Sequence, residues 1–191
     1  MQTPDLVATS VMSSPVAPIT RPGWRFLCAH PAHAIALGFG AGLSTKAPGT
    51  AGTLWAWVAF LLLQGAGFTD AHWAALIALS IPLGWWASTV TARHMGVFDP
   101  GSIVWDEVVA FWLVLWLVTP AGFWGQLVAF ALFRYFDAAK PGPVGWADAL
   151  FHGVRPQFDR LAWAKAGCGI MLDDLVAAAC TLLVIALWRF V

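Results

Sequence analysis

The chain has 191 residues, of which 60% are hydrophobic and only 10% are charged. An average soluble domain carries about 25% charged residues, so this composition excludes a water-soluble globule. Ten basic residues balance ten acidic residues, which argues against nucleic acid as a partner because a binder would need a basic surface. The composition therefore predicts a membrane protein.

The N-terminal segment differs from the rest of the chain. It is rich in Ser, Thr and Pro and lacks the apolar core of a signal peptide. We therefore expect a flexible tail over residues 1–25, followed by one membrane-embedded domain over residues 26–191.

Five apolar runs follow in chain order. Each is about 17 to 20 residues long, near the minimum for a helix that crosses a bilayer, and none shows the alternation of a barrel strand. The runs are Ala51–Gly67, Trp73–Ala92 with a kink at Pro82, Ile103–Thr119, Phe123–Ala139 and Ile170–Trp188. The Gly-rich stretch Ala32–Leu43 is too short to span and indicates a re-entrant or interfacial segment. The predicted fold is an all-α polytopic membrane helix bundle of about four to five spanning helices.

Basic residues predict the orientation of this bundle. With the N-terminus in the cytoplasm, every Lys and Arg except Arg189 falls on the cytoplasmic side. Cytoplasmic loops of membrane proteins carry such an excess of Lys and Arg, so we expect this orientation.

Acidic residues gather at the same predicted membrane face. Asp106 and Glu107 lie on the third run, Asp137 on the fourth, and Asp173 and Asp174 on the fifth. A charge at the centre of a membrane helix costs roughly 2.5–3.5 kcal/mol, so a shared polar site is favoured over interfacial snorkelling or structural ion pairs. Clustered carboxylates without Cys or paired His suit a hard cation, Mg²⁺ before Ca²⁺ or Zn²⁺.

The side chains of Asp173 and Asp174 should point about 100° apart on a helix. One of them can therefore face a metal while the other meets a second metal, a basic partner or water.

Cationic side chains and a turn offer an anion site on the same face. Lys46, Arg134 and Lys140 are available to neutralise a phosphate. The segment Leu43–Thr53 adds hydroxyls, including Ser44 and Thr50, and glycine-rich backbone just before a helix start. Mg²⁺ with cationic side chains is typical of phosphoryl chemistry.

Four motifs in order carry a family resemblance. They are Gly38–Thr53 (GFGAGLSTKAPGTAGT), Gly101–Val109 (GSIVWDEVV), Phe133–Pro141 (FRYFDAAKP) and Gly169–Asp174 (GIMLDD). Together they resemble the phosphatidylglycerophosphatase A family, over roughly residues 30 to 190.

The resemblance implies Mg²⁺-dependent hydrolysis of phosphatidylglycerophosphate to phosphatidylglycerol and phosphate. It implies the bacterial inner membrane, with the site facing the cytoplasm. The residues we expect to hold Mg²⁺ and activate water are Asp106, Glu107, Asp173 and Asp174. Those expected to bind phosphate are Lys46, Arg134, Lys140, Ser44 and Thr50, while Asp137 would orient Arg134 or ligate the metal. A carboxylate nucleophile is an alternative to a metal-activated water.

One departure from the family pattern lies between His152 and Gly169. Residues 154–168 look like an insertion, either an amphipathic helix on lipid headgroups or a solvated loop, and the role of His152 stays open.

The main alternative function is a small ion or proton-coupled transporter subunit. A transport path should place charges at several depths, whereas here they crowd one face, which favours an enzyme. The oligomeric state stays open.

Overall fold

The computed structural model describes residues 18–150 and 161–190. This part of the chain is entirely helical, with eight α-helices, one 3₁₀ helix and no strand. The α-helices are α1 (Trp24–Ala29), α2 (Pro31–Ala36), α3 (Pro48–Gly65), α4 (Asp70–Met95), α5 (Trp105–Val118), α6 (Phe123–Ala139), α7 (Pro143–Ala149) and α8 (Ala162–Phe190), and the 3₁₀ helix covers Gly38–Leu43. The all-α prediction is confirmed for these residues.

Two of these helices, α4 and α8, are long and apolar enough to cross a membrane. Helices α3, α5 and α6 have 18, 14 and 17 residues, near or below the length that a spanning helix needs. The structure therefore supports membrane association through two helices and does not confirm four to five spans.

Predicted and observed boundaries agree best where an apolar run is bounded by turn residues. Helix α6 covers the same residues as the predicted run, Phe123–Ala139. Helix α8 begins at Ala162, well before the predicted Ile170. The glycine-rich stretch forms α2 and the 3₁₀ helix, with six residues each, and both are too short to span a bilayer.

Helix α5 lies at the centre of the fold and is packed against α3, α4, α6 and α8. Two tryptophans fix it in place through their indole N–H groups. Trp105 donates to the carbonyl of Ser80 at 3.2 Å, and Trp112 donates to the carbonyl of Ala56 at 2.9 Å. Because α5 is surrounded on all sides, the acidic residues in its first turn are held in a buried position.

Two of the predicted regions lie partly outside the described residues. Residues 1–17 of the predicted tail and residues 151–160, which include His152, are not among them. Within the described part, α1 already begins at Trp24. Residues 162–168 of the predicted insertion form the first turns of α8, where Gly167 packs so closely on Thr89 that a methyl group would overlap it.

Candidate metal and phosphate site

Three carboxylates converge where α5 meets α8. Asp106 and Glu107 lie in the first turn of α5, and Asp174 lies on α8. Each offers an oxygen within 4.8 Å of the others, and the residues are 8%, 9% and 2% exposed. The structure thus brings together three of the four residues predicted to hold a metal.

One oxygen on each of these carboxyl groups has no hydrogen-bond partner within residues 18–150 and 161–188. The atoms are Oδ1 of Asp106, Oε2 of Glu107 and Oδ2 of Asp174, and all three are buried. A buried polar atom without a partner costs about 1–3 kcal/mol, and more when it is charged. The arrangement therefore calls for a cation between the three groups.

The donor set fits a hard divalent cation. All three donors are carboxylate oxygens, which Mg²⁺ and Ca²⁺ prefer. Oxygens on opposite sides of one ion are about 4.2 Å apart for Mg²⁺ and about 4.8 Å for Ca²⁺, so the observed spacing admits one such ion. We refer to Asp106, Glu107 and Asp174 as the carboxylate trio. When ionised, the trio carries three negative charges, and a divalent ion would neutralise most of them.

Arg134 supplies the positive charge beside the trio. It extends from α6 and forms an ion pair with Asp137, one turn further along the same helix. Its Nη1 also donates to Oγ1 of Thr53 at 3.3 Å and lies 3.8 Å from Oε1 of Glu107. The Asp137 carboxyl is within electrostatic reach of Asp174. Asp137 is therefore paired with Arg134 and borders the carboxylate trio.

The start of α3 forms the remaining wall of this site. Gly49, in the first turn, lies so close to Glu107 that a methyl group there would overlap Oε1, and it would lie 3.2 Å from Nη2 of Arg134. Thr53 donates its hydroxyl to the carbonyl of Gly49 at 2.9 Å. The first amides of a helix lack intrahelical partners and attract anions, so the start of α3 is a candidate anion site next to the carboxylates.

Asp173 is placed differently from Asp174. Its Oδ2 accepts a hydrogen bond from Lys140 at 2.7 Å, and Lys140 also pairs with Asp148 on α7. Burial alone would lower the pKa of Lys140, but its hydrogen bonds to Asp148 and Asp173 outweigh this effect and raise the pKa above the ordinary lysine value. The structure therefore gives Asp173 a basic partner and leaves it outside the trio.

Lys140, predicted to bind phosphate, is instead engaged in these two ion pairs. Lys46 is exposed on the loop before α3 and has no ion pair inside the described ranges. Ser44 is exposed on the same loop and donates its hydroxyl to the carbonyl of Lys46 at 2.8 Å. Thr50 is half-buried in the first turn of α3. Of the three basic residues predicted to bind phosphate, only Arg134 lies directly against the carboxylate trio.

Sequence reasoning missed three contributors to this site. Thr53 and Gly49 lie in the Leu43–Thr53 segment, which the sequence predicts to bind an anion. Their contacts with Arg134 and Glu107 depend on how α3 packs against α5 and could not be read from the sequence. Asp148 partners Lys140 from α7, a seven-residue helix too short to give a periodic signal. For Gly49, the available sequence signal was its place in the Pro48-Gly49 pair at the predicted start of a helix.

These features define a class of protein. It is an apolar helical protein with three buried carboxylates that could hold a cation, next to an arginine and a helix N-terminus, an arrangement suited to phosphate esters. The family model described as phosphatidylglycerophosphatase A matches residues 34–189, and the chain belongs to that family. It is accordingly an enzyme, a phosphatase.

Three curated relatives are similar over most of their length. Phosphatidylglycerophosphatase A of Escherichia coli K12 is 37% identical over 159 residues, covering 80% of each chain. The Haemophilus influenzae protein of the same name is 37% identical over 157 residues, covering 82% of this chain and 87% of the relative. A Bacteroides thetaiotaomicron protein provisionally named as a phosphatidylinositol-3-phosphatase is 38% identical over 165 residues, covering 82% and 92%. No solved structure matches this chain.

Proposed function

We propose that this protein removes the terminal phosphate from phosphatidylglycerophosphate, yielding phosphatidylglycerol and inorganic phosphate, in a Mg²⁺-dependent reaction. The observation that carries this proposal is the convergence of three buried carboxylates, each with an unpartnered oxygen, against Arg134 and the start of α3. Two of the relatives above carry the name of this activity.

Asp106, Glu107 and Asp174 are the residues that would hold Mg²⁺. When bound, such an ion neutralises phosphate oxygens and lowers the pKa of a coordinated water. The three acids come from two helices that are packed together, so the ligand set is fixed before substrate arrives.

The anionic phosphate is bound by the protein's own donors. Arg134, oriented by Asp137 and Thr53, and the free amides in the first turn of α3 contact its oxygens. The oxygen of water bonds to phosphorus while the bond from phosphorus to the glycerol oxygen breaks. The water loses a proton and the departing glycerol oxygen gains one. Donors fixed in advance around the phosphate stabilise the charge that develops during this exchange.

The membrane places this site next to its lipid substrate. Helices α4 and α8 are long and apolar enough to anchor the chain, and Arg134 and Lys140 pair with carboxylates at this end of the fold. The positive-inside rule supports a site at the cytoplasmic face of the inner membrane. Accessibility of a single cysteine introduced at Lys46 to a membrane-impermeant reagent, in intact cells against inverted vesicles, tests this orientation.

Phosphate release by the purified full-length protein in detergent micelles tests the activity. We expect turnover of phosphatidylglycerophosphate that stops with EDTA and returns when Mg²⁺ is added in excess. Absence of release from this lipid across several detergents would refute the proposed function. Ion flux through proteoliposomes, without phosphatase activity, would support the transporter alternative instead.

A further inference from the structure

A second polar cavity lies beside the carboxylate site. Its volume is about 280 Å³, and the side chains that matter for its chemistry are Arg21, Ser44, Thr45, Pro48 and Ser102. Ligand pockets for whole drug-sized molecules are roughly 300–1,000 Å³, so this cavity suits a lipid headgroup and excludes the acyl chains. Ser44, Thr45 and Pro48 belong to the Leu43–Thr53 segment described above, whereas Arg21 and Ser102 do not.

The cavity and the carboxylate site share walls. Pro48 lines the cavity, and the next residue, Gly49, packs on Glu107 and Arg134. Ser102 lines it on the other side, at the turn that leads into α5 and Asp106. The cavity therefore adjoins the carboxylate site.

Arg21 gives the cavity its charge. Its guanidinium has no ion pair with any carboxylate in the described part of the chain. The segment that carries it is held in place, because the N–H of Ile19 donates to the carbonyl of Met95 at 2.8 Å. Ser102, in turn, contacts the sulfur of Met95 at 3.9 Å. Arg21 is thus an exposed cation without an ion pair, at a cavity that is also lined by hydroxyls, and such a surface can bind an anion that carries alcohol groups.

We infer that this cavity binds the phosphodiester and the glycerol of the lipid substrate, with Arg21 contacting the diester oxygen. This inference rests on the proposed function. The substrate carries two phosphates joined by a three-carbon glycerol: the monoester is cleaved, and the diester is left on the product. When the monoester lies against Arg134 and the start of α3, the diester of the same molecule reaches the adjoining cavity. There it lies opposite Arg21, which has no ion pair in the described part of the chain.

Arg21→Gln tests this assignment, and Arg25→Gln is the matched control. Arg25 is also exposed, lies four residues further on and does not line the cavity. Activity is measured on phosphatidylglycerophosphate in neutral-detergent micelles and on glycerol 3-phosphate, which has the monoester but no diester. We expect Arg21→Gln to raise KM for the lipid about tenfold with kcat within about twofold. The ratio of kcat/KM for lipid over glycerol 3-phosphate should fall by the same factor, and Arg21→Lys should restore part of it.

Thr45→Leu provides a second variant that fills the cavity without removing a charge, and it should raise KM for the lipid in the same way. An unchanged KM in both variants, or an equal loss on both substrates, would overturn the inference. If the effect of Arg21→Gln appeared only after phosphatidylglycerol was added to the micelles, Arg21 would be contacting bulk anionic lipid, and the assignment to the substrate would be wrong.

A binding measurement separates this inference from the proposed function. Dihexanoyl phosphatidylglycerol carries the diester and no monoester, so its binding by calorimetry does not depend on turnover. We expect its Kd to rise about tenfold in Arg21→Gln and to be unchanged in Arg25→Gln. An equal Kd in the parent protein and Arg21→Gln would refute the inference even if the enzyme hydrolyses phosphatidylglycerophosphate.

Discussion

Gly49 and Glu107 are in direct contact, and the contact leaves no room for a side chain at position 49. Through it, the first turn of α3 is held against the first turn of α5. This contact, together with the packing of Gly52 on Val104 and the Trp112–Ala56 hydrogen bond, sets the start of α3 relative to the carboxylates proposed to hold a cation.

Gly49→Ala should therefore disable the enzyme while the protein still folds. The added methyl group must push Glu107 or α3 aside, and a displacement of about 1 Å at a reacting centre can cost about 100-fold in rate. We expect kcat to fall about 100-fold. Gly65→Ala, at the other end of the same helix with open space around it, is the control and should retain parental kcat. Parental activity in Gly49→Ala would show that this contact does not set the site geometry.

Asp174→Asn tests the cation site by activity and by stability. Loss of outer-shell partners of a metal typically costs about 10–100-fold, so loss of a ligand should exceed 100-fold in kcat. A ligand that binds only the folded state at 100 times its Kd stabilises that state by about 2.7 kcal/mol. Added Mg²⁺ should therefore raise the Tm of the parent protein and leave that of Asp174→Asn unchanged.

The control for this experiment is Asp70→Asn. Asp70 is exposed and accepts a hydrogen bond from Trp116 at 3.1 Å, which an asparagine oxygen can also accept. It should keep both activity and the Mg²⁺-dependent Tm. The assignment of Asp174 fails if its variant still shows the parental Tm rise.

Asp173→Asn should behave differently from its neighbour. Because Asp173 pairs with Lys140 and lies outside the trio, we expect about a tenfold loss of kcat and a retained Mg²⁺-dependent Tm. A loss equal to that of Asp174→Asn, together with a lost Tm response, would place Asp173 on the metal.

Lys140→Met should destabilise the fold, because it removes the ammonium group that pairs with Asp148 and Asp173. These side chains are 26% and 13% exposed, so the cost should lie between exposed and buried pairs, about 1–3 kcal/mol. The raised pKa of Lys140 means that this contribution is fully present below the ordinary lysine pKa of about 10.4 and declines only as the pH rises further.

Chemical denaturation of the parent, Lys140→Met, Asp173→Asn and the double variant measures this pairing. The difference between parent and Lys140→Met should be constant from about pH 6 to pH 9. The double variant should recover part of the loss. Fully additive losses would contradict a direct pair.

Because His33 is buried, we expect the protein to lose stability in mild acid. Burial lowers its pKa; a hydrogen bond to the Phe26 carbonyl opposes this effect, and nearby His94 and His30 add to it. A base with a lowered pKa contributes stability that is present above its unfolded value, about 6.5, and is lost as the pH falls below it. Between pH 7.5 and 5.5 the parent should therefore lose more stability than His33→Phe, by at most about 1.4 kcal/mol per pH unit.

His72→Gln is the matched histidine control. His72 is exposed and accepts from the N–H of Thr69 in a capping box, a role that glutamine also fills. It should keep the parental stability at pH 7.5, because the glutamine oxygen accepts the same hydrogen bond. Equal slopes for the parent and His33→Phe would show that His33 does not titrate in this range.

Apolar runs predicted most helices, because a continuous run bounded by turn residues leaves few other conformations. They could not predict that α8 begins at Ala162, since the stretch before Ile170 carries Lys165 and two glycines and its helical state depends on packing against α4. The shared membrane face of the acids predicted that Asp106, Glu107, Asp173 and Asp174 would hold one metal site, and the structure brings three of them together. That shared face could not predict which of Asp173 and Asp174 would face the others, because α8 is apolar on all sides and its rotation is set by its neighbours.

Ala47, the residue just before α3, has a left-handed backbone with φ 44° and ψ 64°. An L-residue in this region is strained by roughly 1–2 kcal/mol, and Pro48 restricts it further. The strain is sustained by the rest of the fold, and the left-handed turn sets the direction in which α3 leaves the loop that carries Lys46. The phosphate site proposed at the start of α3 would therefore be preorganised: its alignment would be achieved during folding, so binding of the substrate does not have to provide it.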